Sequence, residues 1–484
     1  MPNPTVELLP LLRQSGAAIE RRACGIRLDI GRQRISGPDF ERLVAFGEKR
    51  EILAAHRRMM AGAIVNESEG RAALHTSLRS FSPSAPFYDE VEHERRRIFR
   101  FAEDIRSGRW LGCRADRITD IINVGIGGSE MGPHAVYHAL RGPNPDIRVH
   151  FLSSVDGVLL ERVLASCQPY STLAIVSSKS FSTRETQVNA AAVDQWFLDA
   201  GIVGADRNRH IVVVSSKEDA AAQMCLPEEN LFRIWDWVGG RFSVWGAVGL
   251  PVAVALGPEV FREFLQGAAE MDRHSAEAPI SENLPALLAL ISYWNATRLE
   301  ISSHCMLPYD ERLRVLVAWL QQLEMESLGK TVTPEGEPIE GHTGQGVWGA
   351  NGNEGQHSFY QWLRQGTGRT SVDMLWSEMP GHRFAEHYKV LLANARAQAE
   401  ALVARDPSSP FFNAVSTIVL DAVNPRRLGA IMAMYEHKTT MLGTLFHINP
   451  FDQPGVELGK RLSRRAEKGG DPAAAFRAVL EGAA

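Results

Sequence analysis

Two short segments carry the residue types that hold a phosphate. The first is Asn123-Val-Gly-Ile-Gly-Gly-Ser-Glu-Met-Gly132 and the second is Ser177-Ser-Lys-Ser-Phe-Ser-Thr-Arg-Glu-Thr186. Each follows a β-branched apolar run and precedes a helical pattern. A strand, a turn of small residues and a helix aim backbone N–H groups at an anion, and the helix dipole favours negative charge there. Gly128 and Ser129 are the candidates in the first turn. In the second, Ser182-Thr-Arg-Glu185 reads as a capping box that starts the helix at about Thr183. Ser178, Lys179 and Ser180 then lie in the turn ahead of it. The first turn fails the dinucleotide pattern, because Glu130 stands where the third glycine is needed, and no complete P-loop exists at Gly329-Lys330 or Gly459-Lys460. The plain alternatives are a tight strand-to-helix connection with Ser129 as N-cap, and a Ser/Thr-rich loop. The second leaves Lys179 without a reason.

A carboxylate of a different character lies in Leu323-Glu-Met-Glu-Ser-Leu-Gly-Lys330. Leu313, Leu316, Val317 and Leu320 form the buried stripe of a helix, and Gly329 is placed to end it as a C′ glycine. Glu326 then falls in the last turn, where the dipole disfavours an anion, so a proton-transfer role explains it better than a stabilising one. Gln322, four residues earlier, shares its face. Glu324 is the competing carboxylate, on another face, and a surface position for Glu326 is the alternative. Further on, the glycine-rich segment 341–357 ends at His357, expected to open a helix over 358–364. An imidazole at a helix N-terminus stays neutral and able to exchange a proton. Gly240-Arg241 places a guanidinium after two glycines, suited to an oxyanion or to a loop salt bridge. Lys460 carries the same two readings.

Elements that could position these groups follow from the apolar patterning. Strands are expected at 118–124, 149–154, 172–177, 210–215 and 231–235, with helices between them. Such alternation means βαβ units and a parallel sheet covered on both faces. Ligands of such sheets sit at the carboxyl ends of the strands, where both candidate turns fall. After a break near 273–282 a second α/β unit is expected, with helices at 285–299 and about 310–328 and strands near 304–307, 344–348, 372–376 and 415–420. Residues 1–85 are charged and helix-like, with no strong strand run. The expected division is therefore a helical segment at 1–85, α/β units at 86–275 and 276–448, and a C-terminal arm at 449–484 containing a basic helical stretch at 461–468.

The 484-residue length calls for more than one core. A net charge of −5 argues against nucleic acid and means that an anionic substrate needs a local positive site. Five scattered cysteines without CxxC spacing suggest reduced thiols in a cytosolic protein. The first residues show no signal-peptide pattern, and the longest apolar stretch, around 244–256, is too broken to span a bilayer. No HExxH, His/Cys cluster or spaced carboxylate pair calls for a metal, and nothing calls for an organic cofactor.

Taken in order, Gly125-Ile-Gly-Gly-Ser129, Ser178-Lys179, Gly240-Arg241, Gln322 with Met325-Glu-Ser-Leu-Gly-Lys330, Gly355-Gln-His357 and Asp452-Gln453 with Gly459-Lys460 resemble the phosphoglucose isomerase family. The resemblance runs from about residue 66 to 465. It implies two three-layer αβα sugar-isomerase (SIS) domains in a cytoplasmic homodimer, acting without a cofactor in glycolysis and gluconeogenesis. It implies a phosphate held by Ser129, Ser178, Lys179, Ser180 and Thr183. His357, reaching in from the partner subunit, would open the sugar ring with Lys460. Glu326 would move a proton between C2 and C1, Arg241 would stabilise the enediolate, and Gln322 and Gln453 would line the site. The segment Gly349-Ala-Asn-Gly-Asn-Glu-Gly355 departs from the family's usual acidic-proline-glycine run. Broader activity including mannose 6-phosphate, or a non-catalytic sugar-phosphate binder, are the competing functions.

Overall fold

The computed structural model describes residues 9–16, 20–404, 412–467, 469 and 471. One sheet is wholly parallel, in the order Arg148–Leu152, Asp120–Val124, Thr172–Ser177, Ile211–Ser215, Leu231–Arg233. Every residue of its three central strands is buried. Burial on both faces is why those strands read as nearly continuous apolar runs. The chain first steps from Asp120–Val124 to one neighbour, then returns to lay Thr172–Ser177 on the other side. That reversal opens a crevice at the carboxyl ends of these two strands, and both candidate turns start there.

A second sheet contains four parallel strands in the order Gly346–Gly349, Ser303–Pro308, Ser371–Ser377, Ala414–Leu420. Numbered by appearance, the parallel strands run 2-1-3-4 in this sheet and begin 2-1-3-4 in the first. The next position differs. In the second sheet Ile26–Arg32 lies antiparallel against Ala414–Leu420, and Glu20–Ala23 closes the edge.

That pair corrects the reading of residues 1–85 as strandless. Helices Gly37–Lys49 and Ile52–Met60 are present, but Ile26, Leu28 and Ile30 alternate into the core between Arg27 and Asp29. The intervening charges disguised a period of two as a polar helical surface. The helix expected over 310–328 is also divided, into a short 3-10 turn at Glu311–Leu313 and an α-helix at Leu316–Leu328. The C-terminal arm carries a helix at Glu457–Glu467, and Lys468 lies outside the described residues.

Helix Pro425–Phe446 is buried along most of its length and packs against helices Pro258–Glu277 and Leu284–Thr297. It brings three ionisable side chains into the core, each with a partner. Glu436 accepts from Arg79 and from Trp245 Nε1 at 2.8 Å, and burial pushes its pKa up to about 7. His437 Nε2 lies 2.7 Å from Asp272, and Lys438 Nζ donates to Glu324 at 2.7 Å. One apolar cluster contains Ile121, Leu173 and Val212 of the first sheet with Leu375 and Ile418 of the second. Contiguous packing of this kind fixes the two sheets against each other, so groups from both can share one site.

Candidate active site

The first turn adopts a backbone that only glycine tolerates well. Gly127 has φ +61° and is the helix cap, so Ser129 is the second residue of helix Gly128–Leu140 and not its N-cap. A Cβ on Gly128 would lie 2.1 Å from the carbonyl carbon and oxygen of Gly240. The two backbones therefore touch with no side chain between them. The phosphate turn is clamped onto the turn that carries Arg241.

In the second turn the helix begins at Arg184, capped by Thr183 without a side-chain hydrogen bond. The expected capping box does not form, because the Ser182 hydroxyl donates to Ser180 Oγ at 2.9 Å instead. Lys179 Nζ donates to the carbonyls of Asp236 and Val238 at 2.8 and 2.9 Å, and burial lowers its pKa. An ammonium has three protons, so one remains for an anion. The hydroxyls of Ser177, Ser178 and Thr186 are buried with no partner among the described residues. Buried donors left unpaired call for an absent acceptor, and phosphate oxygens supply several.

These groups face one cleft of about 450 Å³. Gly128, Ser129, Ser178, Lys179, Ser180 and Thr183 line it. Gly240, Gln453 and Lys460 line it as well. Lys460 is exposed on the arm helix and pairs with Glu457 at 2.8 Å.

Arg241 joins the cleft to the carboxylate. It is almost fully buried, which lowers its pKa, and every guanidinium nitrogen is used. Nε donates to Ser327 Oγ at 2.8 Å, and Nη2 to the carbonyls of Pro450 and Asp452 at 2.6 and 3.1 Å. Nη1 donates to Gln453 Oε1 at 2.8 Å and to Glu326 Oε2 at 3.3 Å. Gln322 Nε2 donates to the same Glu326 oxygen at 3.2 Å. The Gln322 amide also stands over the first turn, 3.0 Å from where a Cβ on Gly127 would sit. Glu326 is thus part-buried beside the cleft, while Glu324 is committed to Lys438 in the core.

The arm is fastened from two sides. Asp452 Oδ2 accepts from Ser68 Oγ at 2.6 Å and from Asn449 Nδ2 at 3.0 Å, and Asn449 also reaches Asn66 Oδ1 at 2.9 Å. Lys330 Nζ approaches Asp452 Oδ1 at 3.5 Å.

His357 is not in this group. It is exposed, in a turn between short helices Gly352–Gly355 and Tyr360–Gln365, and it does not open a helix over 358–364. Phe359 is the cap of the second helix. The neighbouring Gln356 Nε2 donates to the hydroxyl of Tyr309, which pairs with Tyr360 at 2.8 Å.

Sequence reading overlooked several cleft groups. Arg71 and Lys217 add cations to its wall. Arg71 stands outside the six motifs that carry the family resemblance, and Lys217 is a lysine after a strand with no motif around it. Lys330 was passed over because the segment was read for its glutamate and its glycine.

An anion cradle on one parallel sheet, facing a carboxylate and a guanidinium held between both sheets, defines an enzyme acting on a small phosphorylated substrate. The chain belongs to the phosphoglucose isomerase family, whose model matches residues 29–409 and 412–476. It is 43% identical over 463 residues to a glucose-6-phosphate isomerase of Burkholderia ambifaria, covering 92% of this chain and 86% of that protein. A glucose-6-phosphate isomerase of Chromohalobacter salexigens is 41% identical over 457 residues, with coverage of 91% and 83%. Among solved structures, a glucose-6-phosphate isomerase from Chlamydia trachomatis superposes with a TM-score of 0.86 at 31% identity, over 97% of this chain and 93% of that one.

Proposed function

We infer the following division of labour for an enzyme that interconverts D-glucose 6-phosphate and D-fructose 6-phosphate. Ser129, Ser178, Lys179, Ser180 and Thr183 hold the phosphate in the cleft. The sugar then extends towards Glu326 and Arg241. His357 and Lys460 open the pyranose ring by moving a proton between the hydroxyl at C1 and the ring oxygen. Glu326 removes the proton from C2 of the open aldose and returns it to C1, while the hydroxyl proton on O2 passes to O1 so that the carbonyl moves from C1 to C2, and the reverse direction retraces the path. Between these transfers the sugar is a cis-enediol(ate). Arg241 stabilises its negative oxygen, and Gln322 and Gln453 position the chain of hydroxyls.

The observation that carries this reading is the shared guanidinium nitrogen. Arg241 Nη1 holds both Glu326 and the arm residue Gln453, beside a cradle of unpaired buried hydroxyls. No described residue bonds Glu326 Oε1, so one carboxylate oxygen is available for the proton. A simple sugar-phosphate binder has no use for a carboxylate kept on a buried cation that also holds a residue of the cleft wall.

We further infer a homodimer in which His357 comes from the partner subunit. The exposure of His357, outside the residues that line the cleft, supports that assignment. The division at 1–85, 86–275, 276–448 and 449–484, a cytoplasmic location, and a place in glycolysis and gluconeogenesis complete the reading. Among the described residues no helix is long and apolar enough to cross a membrane.

A coupled assay with fructose 6-phosphate, run beside mannose 6-phosphate, tests the activity and its breadth. Turnover of fructose 6-phosphate to glucose 6-phosphate is expected. Binding of fructose 6-phosphate without any turnover would favour the binder instead.

A further inference from the structure

The end of the Glu326 helix is closed in an unusual way. A helix leaves its last four carbonyls without intrahelical partners, and a left-handed glycine commonly satisfies some of them. Gly329 follows the last helical residue, but its φ is −72°, so that device is not used here. The four carbonyls are satisfied otherwise. That of Met325 accepts from Gly329 N at 3.0 Å. Those of Glu326 and Ser327 both accept from Lys330 Nζ, at 2.7 and 3.0 Å. That of Leu328 accepts from Lys330 N and from Thr343 Oγ1, each at 2.8 Å. Thr343 Oγ1 also lies 2.7 Å from the carbonyl of Lys330 and holds that residue in place.

One lysine therefore grips the backbone of Glu326 itself. The same ammonium faces Asp452, on the arm that supplies Gln453 to the cleft. Its side chain is mostly buried, so solvent weakens these contacts little. Two electrostatic effects follow. The C-terminal carbonyls present a negative pole to the Glu326 carboxylate, and a cation bonded to them offsets it. The Asp452 contact also ties the helix end to the arm, in parallel with the bonds that Arg241 makes to the same arm.

We propose that Lys330 is a positioning residue for the isomerisation: its ammonium closes the Glu326 helix and tethers it to the Asp452 arm, fixing where the carboxylate meets the substrate. This rests on Glu326 being the base. The charged groups facing Lys330 are Arg241, Asp452 and Glu326. Burial, then the neighbouring Arg241, push its pKa down to about 8, against the opposing pull of Asp452 and Glu326. The positioning charge is present below that pH and is lost as pH rises through it.

The test is the pH dependence of kcat and KM for fructose 6-phosphate in wild type, Lys330→Met and Lys330→Arg. A displaced catalytic group costs on the order of 10²-fold, so K330M is expected to lose roughly 10- to 100-fold in kcat at neutral pH with KM little changed. K330R keeps a charge at all working pH values. It is expected to recover most of the rate and to shift the alkaline fall of kcat upward from the neighbourhood of pH 8. Wild-type kcat in K330M, or an unshifted alkaline limb in K330R, overturns the proposal. If K330M does not fold, as circular dichroism would reveal, the K330R limb decides alone. Glu326→Gln is measured alongside for exchange of the C2 proton with solvent. Unimpaired exchange there overturns the base assignment and this proposal with it, whereas failure confined to the Lys330 variants overturns the proposal only.

Discussion

Glu324 and Glu326 are two residues apart on one helix, yet Glu324 is locked to Lys438 at 2.7 Å in the core while Glu326 is held beside the cleft by Arg241. The same functional group has two separable duties. Glu326→Gln is expected to lower isomerisation by roughly 10²–10⁴-fold with binding little altered, because it keeps the shape and removes the proposed base. Glu324→Gln is expected to cost about 3 to 5 kcal/mol of stability, since it strands a buried ammonium. Steady-state kinetics and chemical unfolding of both variants check this. Loss of catalysis in a stable Glu324→Gln protein would reverse the assignment.

Lys179 is expected to govern both affinity and rate. Its ammonium bridges the second turn to the loop carrying Asp236 and Val238, so Lys179→Met removes an anion partner and loosens the turn. KM should rise and kcat should fall together, because binding energy at the phosphate positions the distant carbons. Inhibition by inorganic phosphate should weaken in parallel. Undiminished phosphate inhibition in this variant would move the anion site elsewhere.

The contact between Gly128 and Gly240 predicts an asymmetry. A Cβ on Gly128 collides with backbone at 2.1 Å, whereas a Cβ on Gly240 finds nothing nearer than Gly128 Cα at 3.9 Å. Gly128→Ala is expected to abolish activity or folding, and Gly240→Ala to be nearly silent in thermal melting. Equal damage from both would mean that the two turns are not packed in this way.

A mixing experiment addresses His357. Glu326→Gln and His357→Ala chains, each inactive, are refolded together. Random pairing makes about half the dimers mixed, and one site in each carries both intact residues, so roughly a quarter of all sites recover. No recovery in a mixture shown to contain mixed dimers would put His357 in its own subunit's site or outside catalysis.

Chelation is expected to leave activity unchanged. Among the described residues the one cluster with metal-ligand geometry is Asp120, His150 and Cys167. Arg148 already occupies Asp120, at 2.8 Å, and burial pushes the Cys167 thiol up to about 12. A cation and an undissociated thiol make poor company for a metal ion. Activity lost on prolonged chelation and restored by one divalent ion would contradict this.

The parts of the fold that sequence reveals are those where one physical signal dominates. The strands that launch the phosphate turns are buried on both faces, and their apolar runs are unmistakable. Ile26–Arg32 is interleaved with part-buried arginine and aspartate, so charge masks its alternation. Among the site residues, Lys179 and Glu326 stand out because their residue types are hard to explain structurally. The Ser182 capping box misled because its hydroxyl had a nearer partner in Ser180, and the Gly329 cap misled because a side chain from the next residue does the glycine's work. Both failures are of one kind. They turn on which of two competing hydrogen bonds forms, and that depends on neighbours brought from far along the chain.

The fastening of the arm ties the cleft to the order in which the chain is made. Ser68 and Asp452 bond across 384 residues of sequence, and Asn66 and Asn449 across 383. Gln453 and Lys460 follow directly after this junction. During synthesis both sheets can form while the arm has yet to emerge, but the cleft then lacks the wall that Asp452 anchors. This wall of the cleft is therefore completed after both sheets, when the arm docks onto residues made 383 and 384 positions earlier.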